Sequence, residues 1–203
     1  MAVLLAWAGV ATAALQTTGA AFSRTTANAG NAFQAAASFC GSPVTVTADA
    51  DAAIREQQPT NNFGTATTLE VRSQNTGRNR RSLIHFTLPA LPPGCTLVSA
   101  SLRLFTVTLD AGDVYQAYAA GGGWSEDAVT WSTQPPFGGT PATATTAAGW
   151  VSWTVTAQVT GMYAGANNGF VVKDRTEGGT PPAMNAYSSR EGATPPQLVI
   201  TTG

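Results

Sequence analysis

Arginine supplies nearly all of the positive charge in this chain, since Lys173 is the only lysine among ten basic residues. A guanidinium is planar and can hold a carboxylate through two parallel hydrogen bonds, so several arginines on one surface are suited to anion binding. For any single position the alternative is an ordinary structural ion pair, such as Arg72 with Glu70 or Arg190 with Glu191. The candidates for this chemistry are Arg72, Arg78, Arg80, Arg81, Arg175 and Arg190.

Two tryptophans, Trp124 and Trp131, border a short acidic segment. Their simplest role is to anchor a loop against the core. An exposed indole can instead offer a flat apolar face to a ligand while its N–H remains available for hydrogen bonding. Trp124, together with Trp150 at the start of a predicted strand, is therefore a candidate for an exposed platform.

Asp49 and Asp51 alternate along a predicted extended segment, which would direct both carboxylates to one side. Calcium takes about six to eight oxygen ligands, and backbone carbonyls could complete a calcium site there; a solvated strand edge is the alternative. The chain contains one histidine, His85, and none of the common nucleophile, metalloprotease or phosphate-binding motifs. We therefore expect a protein that is not an enzyme and needs no cofactor, with calcium as the one ion to consider.

Two cysteines, Cys40 and Cys95, are too few for a structural zinc site. In an exported chain a disulfide is their simplest use, and it would close a loop of about 55 residues. Two buried free thiols are the alternative. The formal net charge of −1 provides no overall field that would attract nucleic acid or a membrane surface.

Residues 1–39 have the features of a signal peptide and leader. Ala2 to Leu15 is an uncharged apolar run, too short for a comfortable membrane span, and Ala11-Thr12-Ala13 offers a small-residue cleavage site. The following Phe22-Ser23-Arg24-Thr25 and Asn28-Ala29-Gly30-Asn31-Ala32-Phe33 resemble the SipW-cognate leader class of camelysin and TasA-like matrix proteins. This resemblance implies a secreted bacterial protein of the cell surface or extracellular space, with no membrane span once mature. A buried N-terminal strand or helix is the alternative.

Residues 40–203 are predicted to form one all-β domain. Only 10% of the chain is charged, and short Thr- and Val-rich runs alternate with Gly, Pro and Asn clusters. Thr156–Tyr163 is predicted as one short helix with Val159, Met162 and Tyr163 facing inward. Period-two alternation predicts strands at Val44–Ala48, Thr68–Ser73, Ser82–Leu88, Ser99–Val107, Val114–Tyr118, Trp150–Val155, Gly169–Lys173, Asn185–Ser188 and Gln197–Thr201. This number of short antiparallel strands indicates a two-sheet β-sandwich.

Short blocks follow one another in a fixed order from Thr45 to the C-terminus. They are Ala48-Asp49-Ala50-Asp51-Ala52-Ala53-Ile54-Arg55, Pro59-Thr60-Asn61-Asn62-Phe63-Gly64, Leu69-Glu70-Val71-Arg72, Arg80-Arg81-Ser82-Leu83-Ile84-His85-Phe86, Ala100-Ser101-Leu102-Arg103-Leu104, Trp124-Ser125-Glu126-Asp127-Ala128-Val129-Thr130-Trp131, Asn167-Asn168-Gly169-Phe170 and Ser188-Ser189-Arg190-Glu191-Gly192. In this order they resemble the DNRLRE domain, which is grouped with carbohydrate-binding module family 96.

The resemblance implies a jelly-roll-like antiparallel β-sandwich that binds an acidic polysaccharide, with alginate as the usual example. The six candidate arginines would then pair with uronate carboxylates, and Trp124 or Trp150 would stack on a sugar. His85 stands where the resemblance leads us to expect an arginine. The expected partner is an acidic polysaccharide or a cell-wall or matrix glycan. The alternative is a structural matrix or fibre subunit that self-associates by strand addition through Ala20–Phe39, without binding glycan.

Overall fold

The computed structural model describes residues 40–75, 77–180 and 182–203. The predicted leader, residues 1–39, lies outside the described residues. No helix within the described ranges is long and apolar enough to cross a membrane. The elements of these ranges are β1 (Val44–Thr47), β2 (Ala50–Arg55), β3 (Thr68–Ser73), β4 (Arg80–His85), β5 (Leu97–Thr108), β6 (Val114–Ala120), β7 (Phe137–Thr145), β8 (Trp150–Thr154), α1 (Thr156–Ala164), β9 (Phe170–Asp174), β10 (Ala183–Ser188) and β11 (Gln197–Thr202).

The strands form a continuous antiparallel sheet that curls around the core in the order β1-β11-β5-β10-β3-β4-β9-β6-β7, with β2 added to β4 and β8 added to β5. Strand β5 is 12 residues long. Its first part pairs with β8 and β11, and its last residues pair with β10, so it links the two layers. The expected all-β, jelly-roll-like sandwich with one short helix is confirmed.

The main core lies between the two layers and is centred on three fully buried aromatic side chains, Trp153, Tyr115 and Tyr187. Tyr187 meets Trp153 and Tyr115 edge to face, at centroid distances of 6.1 and 6.4 Å. The Trp153 Nε1–H donates to the backbone oxygen of Tyr115 over 3.0 Å, which satisfies its one polar atom inside the core. Removing one of these side chains from water stabilises the fold by about 1.5–3 kcal/mol.

A second, smaller core covers the outer face of β2, β4 and β9. Leu83 and Val171 lie in it, and residues 121–136, here called the cover segment, pack on top with Trp124 and Trp131. Ile84, the next residue of β4, belongs to the main core. Strand β4 is therefore buried on both faces. The alternation of β4 places Leu83 on the face opposite to Ile84, and that face is buried by a loop distant in sequence.

The Asn-Asn-Phe-Gly block holds the cover segment in place. The Asn62 side-chain amide donates to the backbone oxygens of Glu126 and Val129, over 2.7 and 2.8 Å. A Cβ on Gly64 would lie 2.1 Å from the Glu126 backbone oxygen, so only glycine permits this approach. In the Asn-Asn-Gly block, Gly169 has a φ of +75°, the left-handed conformation that the turn pattern predicts.

All nine predicted strands are present, with ends that differ by a few residues, and the predicted helix extends to Ala164. Val159 and Met162 are buried in the main core, and Tyr163 is partly buried against it. The sequence reading missed β2 and β7. Strand β2 has four consecutive buried residues, which hides its period-two alternation. Strand β7 contains two glycines and Pro141, and proline is tolerated there because β7 is an edge strand.

Cys40 and Cys95 form a disulfide with a Cα–Cα distance of 5.7 Å. The bond joins the chain just before β1 to the loop that leads into β5, across 55 residues of sequence. The expectation of a disulfide is confirmed, and the alternative of two free thiols is wrong.

Candidate functional site

Two guanidinium groups share the Glu70 carboxylate near the start of β4, and a third guanidinium, that of Arg72, lies beside them. Arg55 Nε lies 2.8 Å from one Glu70 carboxylate oxygen, and Arg80 Nη1 lies 2.9 Å from the other. Arg72 is directly across from Arg80 in the strand register, and in the described part of the chain no carboxylate pairs with it. We call Arg55, Arg72 and Arg80 around Glu70 the arginine cluster. The alternative pairing of Arg72 with Glu70 is not formed, because Arg55 and Arg80 occupy Glu70.

The arginine cluster has unsatisfied positive charge and unsatisfied donors. Burial lowers the pKa of Arg80 despite the attraction of Glu70, and repulsion from Arg55 and Arg72 acts in the same direction as burial. The Nε atoms of Arg72 and Arg80 are buried without a hydrogen-bond partner. Phe63 lies 3.9 Å beneath the Arg55 guanidinium and helps to fix its plane. An anion placed beside Arg72 would therefore meet charge that the protein itself does not neutralise.

Two of the predicted arginines are engaged in the protein's own ion pairs. Arg81 binds Glu177 through two parallel contacts of 2.7 Å each, and its guanidinium lies 4.4 Å from the centre of the Trp131 ring. Arg190 lies 2.6 Å from a Glu126 oxygen and 3.0 Å from a Glu191 oxygen. Both arrangements match the structural alternative, since Arg81 ties a loop to β4 and Arg190 ties two loops together.

Arg78 and Arg175 are exposed and, among the residues described, pair with no carboxylate. Arg78 lies in the turn between β3 and β4, and Arg175 directly follows β9. The Ser73 hydroxyl donates to the Thr176 backbone oxygen over 2.9 Å, so the chain beside Arg72 contacts the chain beside Arg175. A bond of 3.0 Å from the Gly178 N–H to Asn79 joins the Arg78 turn to the same loop. The fold thus brings the loops of Arg78 and Arg175 to the end of β3 that carries Arg72.

The two platform candidates lie in different surroundings. Trp124 is half-buried in the second core, and its Nε1–H donates to the Asn168 backbone oxygen over 2.9 Å, which favours the anchoring interpretation. Trp150 lies on the outward face of β8, where its ring meets Phe105 edge to face at 5.5 Å. The Arg103 guanidinium lies 4.6 Å from the centre of the Trp150 ring.

Arg103 and Phe105 were missed as functional candidates by the sequence reading. Their outward position on β5 could be inferred from its alternation with buried Leu102 and Leu104. Their meeting with Trp150 depends on the pairing of β5 with β8, two strands that are distant in the chain, and no local sequence signal predicts that pairing. The structure therefore adds a second surface, distinct from the arginine cluster, that combines an aromatic ring with a cation.

The acids proposed as a calcium pair lie in different hydrogen-bonded groups. Asp49 accepts hydrogen bonds from His85 and Thr87, and although burial acts to raise its pKa, these bonds lower it overall. His85 is at the opposite end of β4 from Arg80, so it is not part of the arginine cluster.

Asp51 belongs to a different group, in which one carboxylate oxygen from each of Asp51, Glu126 and Glu191 lies within 4.8 Å of the other two. Asp51 is only 1% exposed. Burial raises its pKa to about 7, with added repulsion from Glu191 and Glu126, although the Arg190 N–H donates to it. Because Arg190 also lies against Glu126 and Glu191, much of this acidic charge is compensated internally, and the calcium assignment stays a prediction.

Comparison with known protein families gives a match, which covers nearly all of the described residues. The family model described as carbohydrate-binding module family 96 matches residues 42–202. No curated protein gives a match.

Proposed function

The chain belongs to carbohydrate-binding module family 96, and from this membership we propose that it binds an acidic polysaccharide at the arginine cluster. The observation that carries the proposal is the surplus of guanidinium groups, since Arg55, Arg72 and Arg80 face the single carboxylate of Glu70. Arg72 is the member without a carboxylate partner among the residues described. A uronate carboxylate could therefore take the position that a second acidic residue would otherwise occupy.

The rest of the cluster supports binding at Arg72. Arg55 and Arg80 are already held by Glu70, so less side-chain freedom is lost when an anion arrives. Hydrogen bonds to charged groups contribute about 1.5–3 kcal/mol each, which corresponds to roughly 10- to 100-fold in affinity. Arg78 and Arg175, on the loops beside Arg72, would add longer-range attraction for a polymer with repeated carboxylates.

We propose in addition that the protein acts outside the bacterial cell, as a non-catalytic component of the surface or matrix. The Cys40–Cys95 disulfide supports this proposal, because disulfides persist in oxidising compartments. Family membership supports the absence of catalysis, since the family is one of binding modules.

The test is calorimetric titration of the full chain with alginate, pectate and a neutral glucan, with and without calcium. We expect saturable binding to the two uronate polymers, weakening as salt is added, and none to the glucan. Arg72→Gln should weaken binding about tenfold or more. Arg72→Lys keeps the charge but loses the planar fork, so it should also bind more weakly than the unchanged protein.

Two results would contradict the proposal. One is a folded protein that binds neither uronate polymer; the other is equal binding to the uronates and the neutral glucan. Dependence on added calcium would in turn support the calcium assignment, and unchanged affinity would count against a role for calcium in binding.

A structural role is the second candidate, and strand β1 is the observation that favours it. In the described chain β1 is an edge strand that pairs only with β11, and three of its four residues are exposed. An exposed edge can accept a further strand from another copy. Sedimentation of the full chain over a wide concentration range tests this role: assembly without any glycan affinity would favour it, and a monomer at all concentrations would exclude it.

A further inference from the structure

Strand β5 displays an outward row of side chains that mixes aromatic, aliphatic and cationic groups. Arg103, Phe105 and Val107 alternate with the buried Leu102 and Leu104. Val107 is 58% exposed, and Leu109, just beyond the strand, is 41% exposed. Large apolar side chains grouped on an outer face are typical of a binding surface.

Arg103 is held in a fixed orientation at one end of this row. Its guanidinium lies 4.6 Å from the centre of the Trp150 ring, and its Nη1–H donates to the Gln197 side-chain oxygen over 3.3 Å. Trp150 is in turn fixed edge to face by Phe105, its direct partner across the strands. Within the ranges that the structure describes, no carboxylate forms an ion pair with Arg103, so its remaining donors are available to an anion.

The other end of the row leads towards the arginine cluster. Strand β10 pairs Ala186 with Thr108 of β5 on one side and Met184 with Arg72 of β3 on the other. Leu69 and Val71 point into the main core, so Arg72 points outward as Arg103 does. From the rise along a strand and the spacing between strands, Arg103 and Arg72 are roughly 25 Å apart along the outer surface.

We propose that an acidic polysaccharide lies along the outward row of β5, and that Arg103, stacked on Trp150, binds a second carboxylate of the same chain. This inference rests on the proposed function and extends it to the length of the ligand. The apolar side chains between the two cationic ends would contact the C–H faces of the sugars. Once one end of a polymer is bound, its other end is at high effective concentration near the second site, so long chains should bind more tightly than short ones.

The test uses the full chain and a series of uronate oligomers of increasing length, followed by calorimetry. We expect the affinity of the unchanged protein to rise steeply once an oligomer can reach from Arg72 to Arg103. Arg103→Gln should remove this rise and weaken polymer binding about tenfold, the loss of one charge-assisted contact. Arg103→Lys keeps the charge but loses the two-bond fork, so it should restore only part of the affinity.

A second variant separates stacking from folding. Trp150→Phe keeps an aromatic ring beneath Arg103 and should retain most of the polymer affinity, whereas Trp150→Ala should resemble Arg103→Gln. Thermal unfolding of each variant establishes that it is folded.

If Arg103→Gln binds the polymer as tightly as the unchanged protein while Arg72→Gln binds weakly, this inference is overturned and the proposed function stands. If the unchanged protein binds no uronate polymer, the proposed function itself fails.

Discussion

The arginines of this chain differ in what each guanidinium meets, and sequence proximity does not determine that partner. Arg72 stands two residues from Glu70, yet Glu70 pairs with Arg80 on the neighbouring β4 and with Arg55 on β2. Arg81 pairs with Glu177, 96 residues away. Arg80 lies directly opposite Arg72 in the strand register, so Glu70 is its diagonal neighbour, which a long side chain can still reach. The arginines left without carboxylates are therefore a product of strand register.

At the residue scale we predict a pH effect from Asp51. Its pKa is raised from 3.8 to about 7 in the folded protein, so the folded state binds a proton more tightly than the unfolded state. This contribution to stability is fully present below pH 3.8 and is lost as the pH rises through about 7. Asp51→Asn should flatten the fall in the free energy of unfolding over this window.

Urea unfolding of both proteins at closely spaced pH values measures this effect. An asparagine side-chain oxygen can still accept the hydrogen bond from the Arg190 N–H, so the exchange changes charge with little change in shape. Parallel pH profiles for the two proteins would show that Asp51 does not carry this dependence.

At the scale of elements, the cover segment decides how much of β4 is buried. It has no regular secondary structure over most of its length, and it is held by side chains from distant loops. Asn62 binds two of its carbonyls, and Gly64 allows the backbones to approach. The Asn-Asn-Phe-Gly block and the block from Trp124 to Trp131 thus have a structural role.

We predict that Asn62→Ala lowers the free energy of unfolding by about 1–3 kcal/mol, because two carbonyl groups, of which that of Val129 is partly buried, lose their donor. Asn61→Ala is the matched control, since Asn61 is exposed and its side chain contacts neither carbonyl. Chemical denaturation followed by tryptophan fluorescence measures both. Equal stabilities of the two variants would contradict the role given to Asn62.

A second element-scale prediction concerns Gly169, in the turn before β9. Its φ is +75°, and a Cβ there would lie 2.3 Å from the Ile84 backbone oxygen. Gly178 has a similar φ of +84° with open space around the same position. Gly169→Ala should therefore destabilise the protein well beyond the effect of Gly178→Ala, which reports backbone strain alone at about 1 kcal/mol.

Thermal unfolding compares these two glycine variants directly. A loss for Gly169→Ala no larger than that for Gly178→Ala would mean that the loop moves to accept the new methyl group.

At the scale of the whole molecule, the long β5 strand and the disulfide connect parts of the chain that are distant in sequence. Strand β5 belongs to both layers, so its outward row passes from the Trp150 surface towards the arginine cluster. The formal net charge is −1, yet positive charge is concentrated locally. Anion binding here is therefore a property of surface arrangement and not of overall charge.

We predict that the double variant Cys40→Ser with Cys95→Ser is less stable by about 4 kcal/mol, because its unfolded chain is no longer closed into a loop. For a domain of this size that loss lowers the Tm by roughly 8–16 °C. Scanning calorimetry of the double variant, and of the unchanged protein with and without reductant, measures it. An unchanged Tm would show that the disulfide contributes little to stability.

The β class, nine of the strands, the helix and the disulfide partner could be predicted from the chain alone. Alternation in β5 and glycine or asparagine at turns are local signals, and two cysteines allow only one pairing. Local patterns fail where burial comes from elsewhere, as in β2 and on the outer face of Leu83.

For the candidate site, the sequence determined that arginine and tryptophan were available, and Arg72 and Trp150 were among the residues it indicated. Tertiary structure alone decided that Glu70 serves Arg55 and Arg80 and that Arg103 stacks on Trp150. These contacts join side chains across strands and loops, and their geometry is set by register and by the curvature of the sheet. That register follows from packing the whole core, which no local stretch of sequence specifies.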